Sequence, residues 1–397
     1  MRSADWIDQL TVSAYTVPTT TAGVPQQESD GTAVWDSTGV LVVEAASDGL
    51  VGLGYAYTSS AAVRVVRDQL APIVLGSNTM DIESTFWSMA ETMRNLGWEG
   101  VCASAISAVD IAIHDLRAKR LDTALVRLLG RARSKVMAYG SGGFTSYSAA
   151  QLHGQFSAWA DDGFRAVKMK VGSSPADDVQ RVAAARAAIG TRVALFVDAN
   201  GAYDRKQALG FSERFHEQDV TWFEEPVSSD DLAGLRFLRD RGPAGMQIAA
   251  GEYGYTPAYF LRMLNAGAVD TIQADATRCG GITGFTRAAA IAQAAGVPIS
   301  AHTAPSIHAT LGAALSNVVH VEYFHDHAHI ESLFFDGRPA LTDGDLVPDA
   351  SSPGHGLTLR RSDSEPYLVD QLVMTLDEEG RRSSPTIAAK RRNGRRG

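Results

Sequence analysis

The chain has 397 residues, of which 45% are apolar, with a formal net charge of −9 and two cysteines. This length suits one large domain plus a smaller one, and the negative charge argues against general attraction to nucleic acid or to an anionic membrane. Cys102 and Cys279 lack the spacing of a metal site or a disulfide framework, no apolar run is long enough to cross a bilayer, and the first residues do not form a signal peptide. We therefore expect a soluble cytoplasmic protein.

The first third of the chain predicts an α+β unit. Residues 17–33 are polar and contain Pro and Gly, which is typical of a mobile loop. Two β-rich runs, 38–45 and 50–57, are separated by a short turn segment and predict a hairpin. Apolar residues at helical spacing follow, from Ile106 to Leu116. We expect a capping domain over residues 1–130, with a later segment at about 356–375 packing back on it.

From residue 131 to about 355 the pattern alternates between strand and helix. Ala-rich amphipathic stretches, such as 178–189 and 285–296, lie between short apolar strands. The eight predicted strands are 135–140, 166–171, 193–199, 220–225, 246–252, 270–275, 297–302 and 318–323. Regular alternation of this kind favours a parallel β/α barrel. A doubly wound open sheet is the alternative, but no G-x-G-x-x-G motif follows a strand.

Polar residues stand at the C-terminal ends of these predicted strands. Successive members are about 23 to 28 residues apart, which is one β/α unit. In order they are Lys168 and Lys170, Asp198 and Asn200, Glu224 and Glu225, Glu252, Asp275, His302, and Glu322. In a barrel all these side chains meet at one face, where such enzymes place their chemistry.

Three of these residues predict a metal site. Asp198, Glu224 and Glu252 would repel one another unless a cation lay between them, and oxygen ligands without thiolate favour Mg²⁺, with Mn²⁺ as the second choice. Exposed or arginine-paired carboxylates are the plainer interpretation.

Two further groups predict acid–base chemistry. Lys170 and His302 would come from opposite sides of the barrel and flank a substrate. Lys168 would lower the pKa of Lys170 by like-charge repulsion, and Asp275, one unit before His302, would hold the imidazole tautomer. A purely structural histidine is the alternative for His302.

At these residues the chain resembles the enolase superfamily and, within it, the mandelate racemase subgroup. The resemblance covers nearly the whole chain. Its motifs are VKMKVG (167–172), VDANGAY (197–203), FEEP (223–226), GE (251–252), DATRCGGIT (275–283) and SAH (300–302), together with the upstream helix 105–133. It implies a modified (β/α)7β TIM barrel covered by an α+β capping domain.

The resemblance also implies roles for the strand-end residues. By position, Asp198, Glu224 and Glu252 match the metal ligands, and Lys170 matches one base, with Lys168 beside it near the substrate carboxylate. The pair His302 and Asp275 matches the opposite base. Asn200 is similar to a substrate contact, and Glu322 to the acid that hydrogen-bonds a developing enediolate.

These roles predict a Mg²⁺-dependent lyase that removes the α-proton of a carboxylate substrate, with dehydration of a sugar acid to a 2-keto-3-deoxy acid as the leading hypothesis. Racemisation or epimerisation would use the same residues, and a catalytically silent barrel serving as a binding scaffold is the alternative from another class. The resemblance implies a homo-oligomer that acts on a small-molecule carboxylate, and the charge and hydropathy of the chain predict no membrane partner.

Two segments depart from this pattern. Residues 320–331 contain His325, His327 and His329, for which we weigh a second metal site or substrate contacts against a solvated histidine-rich loop. Residues 376–397 are rich in Lys and Arg and predict a disordered tail, for which nucleic-acid contact is the less favoured interpretation.

Overall fold

A computed structural model of the chain describes residues 5–21, 23–376 and 386–387. The predicted basic tail at 376–397 therefore lies outside the described residues except for Leu376 and residues 386–387. Among the described residues, no helix combines the length and apolar character needed to span a membrane.

A cap is built on an antiparallel sheet near the chain's N-terminus. Its first strands are β1 (Gln9–Pro18), β2 (Thr20–Thr21), β3 (Val24–Pro25), β4 (Glu28–Ser29), β5 (Val34–Trp35), β6 (Ser37–Ser47) and β7 (Leu50–Tyr57). β6 and β7 form the predicted hairpin, which turns at Asp48 and Gly49 with φ of 50° and 79°. Strands β2, β3 and β4 lie within the predicted loop and β5 directly follows it, and the four strands form two small antiparallel pairs.

The cap's helices pack on this sheet. They are α1 (Ala62–Val65), a π-helical turn (Val66–Leu70), α2 (Ala71–Val74), α3 (Ile82–Thr92), α4 (Val101–Arg120) and α5 (Leu125–Leu128). Gly52 and Gly54 of β7 let α4 approach closely, because a Cβ at either position would lie 2.1 Å from a carbonyl oxygen of that helix. This close contact joins the helix and the sheet in one apolar core.

The barrel consists of eight strands alternating with seven helices. The strands are β8 (Val136–Gly142), β9 (Ala166–Lys170), β10 (Ala194–Asp198), β11 (Val220–Glu224), β12 (Gln247–Ala250), β13 (Thr271–Ala274), β14 (Ile299–Ala301) and β15 (Val318–Phe324). The helices are α6 (Ala149–Asp161), α7 (Pro175–Ile189), α8 (Arg205–His216), α9 (Leu232–Arg241), α10 (Pro257–Asn265), α11 (Gly281–Ala294) and α12 (Pro305–Ala314). Neighbouring strands are parallel throughout, and β15 pairs with β8 to close the barrel. This (β/α)7β order confirms the predicted fold and excludes the open sheet.

After the barrel the chain returns to the cap. The remaining elements are α13 (His325–Phe334), β16 (Phe335–Asp336), β17 (Ala340–Thr342), β18 (Asp345–Val347), β19 (Thr358–Leu359), α14 (Arg361–Ser364), a 3₁₀ turn (Glu365–Tyr367), β20 (Leu368–Thr375) and β21 (Thr386–Ile387). β20 pairs antiparallel with β1, so the cap sheet combines strands from both ends of the sequence.

Aromatic side chains fill the barrel beneath its C-terminal end. Tyr139, Phe196 and Trp222 are buried together, and the Trp222 and Phe196 rings stack at 5.3 Å. The ammonium of Lys168 lies 5.4 Å from the Tyr139 ring. These rings form a floor that keeps the polar strand ends above them away from water on that side.

Candidate active site

The C-terminal ends of the barrel strands bring all the predicted site residues to one place. Eight of them expose at most 6% of their surface: Lys168, Lys170, Asp198, Glu224, Glu252, Asp275, His302 and Glu322. Ionisable groups are rarely this buried unless they are paired or bind a ligand. The site is therefore a compact polar cluster inside an apolar frame.

Three carboxylates form the centre of this cluster. Asp198, Glu224 and Glu252 each place an oxygen within 4.8 Å of the others. Burial raises the pKa of Glu224 well above its usual range, and repulsion from Asp198 adds to the rise. Among the described residues, Glu252 Oε2 has no hydrogen-bond partner. A buried, all-oxygen set with an unsatisfied atom fits a hard divalent cation such as Mg²⁺.

Two lysines carry the balancing positive charge. Lys168 Nζ lies 2.6 Å from Glu224 Oε1 and 2.8 Å from Glu322 Oε1, and Lys170 Nζ contacts Asp198 Oδ2. Burial lowers the pKa of Lys170, as does repulsion by Lys168, but attraction to Asp198, Glu252 and Glu224 together is greater, so the pKa is raised. This direction is opposite to the predicted one, because the sequence showed the neighbouring lysine but not the carboxylate against it.

His302 is held by Asp275. Its Nδ1 lies 3.0 Å from Asp275 Oδ2, and Nε2 lies 3.4 Å from Glu252 Oε2. The other Asp275 oxygen accepts two hydrogen bonds of 2.7 Å from Thr277. Burial raises the pKa of Asp275, but its hydrogen bond with His302 and nearby cations more than offset this, so the pKa is lowered. Asp275 is thus an anion in a fixed orientation, and Nε2 of His302 faces the carboxylates.

Glu322 is an acceptor in this arrangement. It accepts hydrogen bonds from Ser141 Oγ at 2.6 Å and Thr303 N at 3.1 Å, besides its contact with Lys168. Burial raises the pKa of Glu322, but the nearby Lys168 and His302 lower it by more than burial raises it. The pKa therefore falls well below its usual range. The acid role implied by the resemblance stays a prediction.

Asn200 stands where the third strand's end meets a cap hairpin. Its φ is +47°, and its backbone N–H donates to Asp198 Oδ1 at 2.9 Å. Its carbonyl accepts from Thr32 Oγ1 at 3.3 Å, and its buried side-chain Oδ1 has no hydrogen-bond partner among the described residues. A free amide oxygen beside the carboxylates is available to a substrate hydroxyl.

A cavity of about 330 Å³ lies between the cap and this cluster, and we call it the vestibule. Its walls combine cap and barrel residues: Trp35, Ser37, Thr38, Gly39, Tyr57, Thr58, Ser59, Arg278, Phe324, Asp326 and His327. Arg278 Nη1 donates to the Glu252 carbonyl at 3.2 Å, so the vestibule adjoins the carboxylates. The sequence analysis weighed only His327 among them as a substrate contact. Two further signals were present: the cap loop near residues 55–60, where substrate specificity is expected, and Arg278, which stands three residues after Asp275.

The three histidines after β15 do not meet at one point. They lie on α13, where His325 is partly buried, His327 is buried and His329 is exposed, so a solvated loop is the wrong interpretation. The His327 ring stacks on Tyr57, with centroids 3.3 Å apart. His325 approaches the buried carboxyl groups of Glu28 and Asp326 within 4.8 Å.

Known protein families match both parts of the chain. Residues 11–130 match the mandelate racemase / muconate lactonizing enzyme N-terminal domain, and residues 151–363 match the enolase C-terminal domain-like family.

Individual proteins match over most of their length. The 3,6-anhydro-alpha-L-galactonate cycloisomerase of Streptomyces coelicolor is 33% identical over 361 residues, covering 89% of this chain and 97% of the relative. The arabinonate dehydratase of Saccharolobus solfataricus is 30% identical over 332 residues, covering 81% and 88%.

Two solved structures are also similar. A mandelate racemase/muconate lactonizing enzyme-like protein from Rubrobacter xylanophilus superposes with a TM-score of 0.88 at 47% identity, covering 92% of this chain and all of that one. A racemase from Streptomyces coelicolor A3(2) with bound magnesium gives 0.82 at 32% identity, covering 91% and 100%.

Proposed function

This chain belongs to the mandelate racemase and muconate lactonizing enzyme family of the enolase superfamily, and on that premise we propose that it is a Mg²⁺-dependent dehydratase of a sugar acid. The observation that carries the proposal is the placement of Lys170 and His302 beside the buried carboxylates of Asp198, Glu224 and Glu252. Relatives named as acid-sugar dehydratases support it, as does the magnesium in the solved racemase.

The three carboxylates would hold Mg²⁺. When bound, the cation would supply positive charge to the substrate carboxylate and would balance the negative charge of the three carboxylates, which the lysines balance in its absence. Lys168, buried at the aromatic floor, provides a fixed ammonium where charge develops on that carboxylate. Because Lys168 and Glu322 are in contact, the same ammonium links the first and last strands of the site.

Lys170 and His302 are the two candidate bases. Lys170 ends β9, and His302 follows β14, so the two approach the centre of the barrel from different sides. One of them removes the proton from the α-carbon. Asp275 keeps Nδ1 of His302 occupied, which leaves Nε2 to exchange a proton with the substrate. When His302 carries that proton, it can give it to a hydroxyl leaving from the next carbon.

Racemisation or epimerisation is the second candidate, and the presence of two bases favours it. A proton removed by one base and replaced by the other inverts the α-carbon without loss of water. A catalytically silent scaffold has no support, because the relatives are named as enzymes. In this chain, residues able to act as bases, acids and metal ligands stand at every position that the resemblance predicts.

The test follows the α-proton. The protein is incubated with Mg²⁺ and a panel of sugar acids and 2-hydroxy acids in deuterated water, and each reaction is followed by proton NMR. We expect loss of the α signal and a new 3-deoxy methylene. Exchange without elimination would replace the dehydratase with an epimerase, and formation of a ring product would indicate a cycloisomerase.

Variants assign the bases. Lys170→Ala and His302→Asn should each abolish exchange on one face of the substrate, whereas Lys206→Ala, an exposed lysine on α8, should behave as the wild type. Absence of exchange on the whole panel, with Mg²⁺ bound, would overturn the proposed function.

A further inference from the structure

We propose that the vestibule selects sugar acids with one carboxylate and a neutral distal end, the aldonates, over the dicarboxylate aldarates. This inference rests on the proposed function, because the reacting carboxylate is taken to lie at Asp198, Glu224 and Glu252. The rest of the substrate then extends into the vestibule, whose wall residue Arg278 contacts Glu252.

A distal carboxylate would need an available cation there. Arg278 is the single Lys or Arg among the residues that line the vestibule. Its Nη1 lies 3.5 Å from Glu252 Oε1 and its Nε 3.6 Å from Asp275 Oδ2, so two carboxylates already face one guanidinium. The guanidinium also lies over the Tyr253 ring at 5.5 Å. Arg278 is therefore committed to the catalytic groups.

His327 does not replace it. Burial lowers the pKa of His327 well below its usual range, so the imidazole is neutral at pH 7. Its ring lies flat on Tyr57, and its main-chain carbonyl accepts from the Tyr57 hydroxyl at 3.3 Å. This wall offers neutral hydrogen-bonding groups.

The neighbouring lining residue, Asp326, belongs to an acidic pair. Asp326 Oδ2 accepts a hydrogen bond from Trp35 Nε1 at 3.2 Å, and its carboxyl group lies against that of the buried Glu28. Burial and then the charge of Asp326 raise the pKa of Glu28 to about 10, and burial also raises the pKa of Asp326. Two carboxyl groups in contact do not both ionise readily. At pH 7 Glu28 therefore holds a proton, and Asp326 is the member of the pair that carries the negative charge when the pair ionises.

A distal substrate carboxylate in the vestibule would face the acidic pair, and the lining residues offer no lysine or arginine that lacks a carboxylate partner. Placing like charges together in this way is costly. A terminal hydroxymethyl group instead finds an acceptor in Asp326. The vestibule thus discriminates by repulsion as well as by attraction.

The experiment compares matched pairs that differ only at the distal carbon: gluconate with glucarate, galactonate with galactarate, and mannonate with mannarate. For each pair in which one member reacts, we expect kcat/KM for the aldonate to exceed that for the aldarate by at least about 30-fold. Equal reactivity, or preference for the aldarate, would overturn the inference and leave the proposed function standing. Failure of every acid on the wider panel would overturn the proposed function itself.

Variants locate the charge. Asp326→Asn should reduce the preference to about threefold or less, whereas Glu28→Gln, which keeps a hydrogen-bond donor beside Asp326, should retain it. A second route does not disturb the buried pair: Thr38→Lys places a cation in the wall and should raise kcat/KM for the aldarate at least about tenfold, with Thr38→Gln as its control. An unchanged preference in both Asp326→Asn and Thr38→Lys would contradict the electrostatic basis.

Discussion

At the scale of single residues, the carboxylate of Glu252 gives a direct test of metal binding. Its Oε2 is buried without a hydrogen-bond partner among the described residues, and the pair Lys168 and Lys170 contacts other carboxylates. Glu252→Gln should therefore weaken Mg²⁺ binding by at least about tenfold, measured by calorimetric titration.

Its control is Glu217→Gln, which makes the same chemical change at an exposed position after α8. Wild-type Mg²⁺ affinity in Glu252→Gln would remove this residue from the proposed ligand set. Loss of affinity in both variants would point to a general charge effect.

Asp275 is expected to act through His302. Because its carboxylate fixes the Nδ1 side of the imidazole, Asp275→Asn should favour the wrong tautomer and lower kcat by about 10²- to 10⁴-fold. Mg²⁺ affinity should change little. The tautomer can be read from the ¹⁵N chemical shifts of His302, and an unchanged tautomer with reduced kcat would contradict the positioning role.

The strand-end residues could be predicted because chain spacing alone places them. A parallel barrel converts a repeat of one β/α unit into proximity, so Asp198, Glu224 and Glu252 meet whatever the details of packing. The direction of the Lys170 pKa could not be predicted in this way, since it depends on which carboxylate the ammonium contacts. The contact of Tyr57 with His327 could not be predicted for a related reason: Tyr57 belongs to the cap, whose placement over the barrel has no sequence period.

At the scale of elements, the hairpin of β4 and β5 is a part of the cap that packs directly on the barrel's strand ends. Gly31 lies at its turn, and a Cβ there would come within 2.2 Å of the Ala199 carbonyl oxygen and 2.7 Å of the Val171 carbonyl oxygen. Backbone atoms cannot yield as a flexible side chain can. We expect Gly31→Ala to lift the hairpin, raise KM and increase amide exchange in residues 28–35, with the barrel unchanged.

Gly154→Ala is the matched control, because that glycine lies within α6 and a Cβ there meets no atom within 4 Å. Exchange mass spectrometry should show no change at residues 28–35 in the control. An unchanged hairpin in Gly31→Ala would show that the loop above the barrel tolerates displacement.

The predicted and observed elements agree where the sequence pattern was periodic. Each of the eight predicted barrel strands overlaps an observed one, and the predicted helix 285–296 corresponds to α11, which starts earlier, at Gly281. Residues 17–33 were harder, because the short pairings of β2 with β3 and β4 with β5 are stabilised by distant contacts. One is the hydrogen bond of 2.8 Å from Thr145 N to the Ser29 carbonyl, which no local pattern reveals.

At the scale of the whole molecule, Glu331 joins the cap to the barrel and makes the stability depend on pH. Tyr55 of β7 donates to its Oε1 at 2.6 Å, and the Ser306 N–H donates to its Oε2 at 3.0 Å. Burial raises the pKa of Glu331 to about 7. In the unfolded chain this carboxyl group ionises near its ordinary pKa of about 4.3.

The folded chain therefore retains a proton that the unfolded chain loses, and the free energy of unfolding falls as pH rises from about 4.3 to about 7. Glu331→Gln should remove a slope of about 1 kcal/mol per pH unit in that window. The measurement is the difference in urea unfolding between variant and wild type at several pH values. Glu213→Gln, at an exposed site on α8, should leave the slope unchanged.

Buried polar contacts also attach α4 of the cap to α11 of the barrel. Thr283 donates to Asp110 through its N–H at 3.0 Å and through its hydroxyl at 2.6 Å, and Gly280 N donates to Ser107 Oγ at 2.9 Å. Separating the two helices would leave these groups unsatisfied. Access to the site is therefore expected through the hairpin of β4 and β5 while the cap stays in place.

The pairing of β1 with β20 has a consequence for biosynthesis. A ribosome releases β1 about 350 residues before its partner emerges, so the whole barrel is translated while one edge of the cap sheet stays open. An unpaired strand edge of this kind is a template for association with other chains. During synthesis this protein is thus expected to need shielding of its N-terminal strand, and a nascent chain halted before residue 368 should bind holdase chaperones that the finished chain does not.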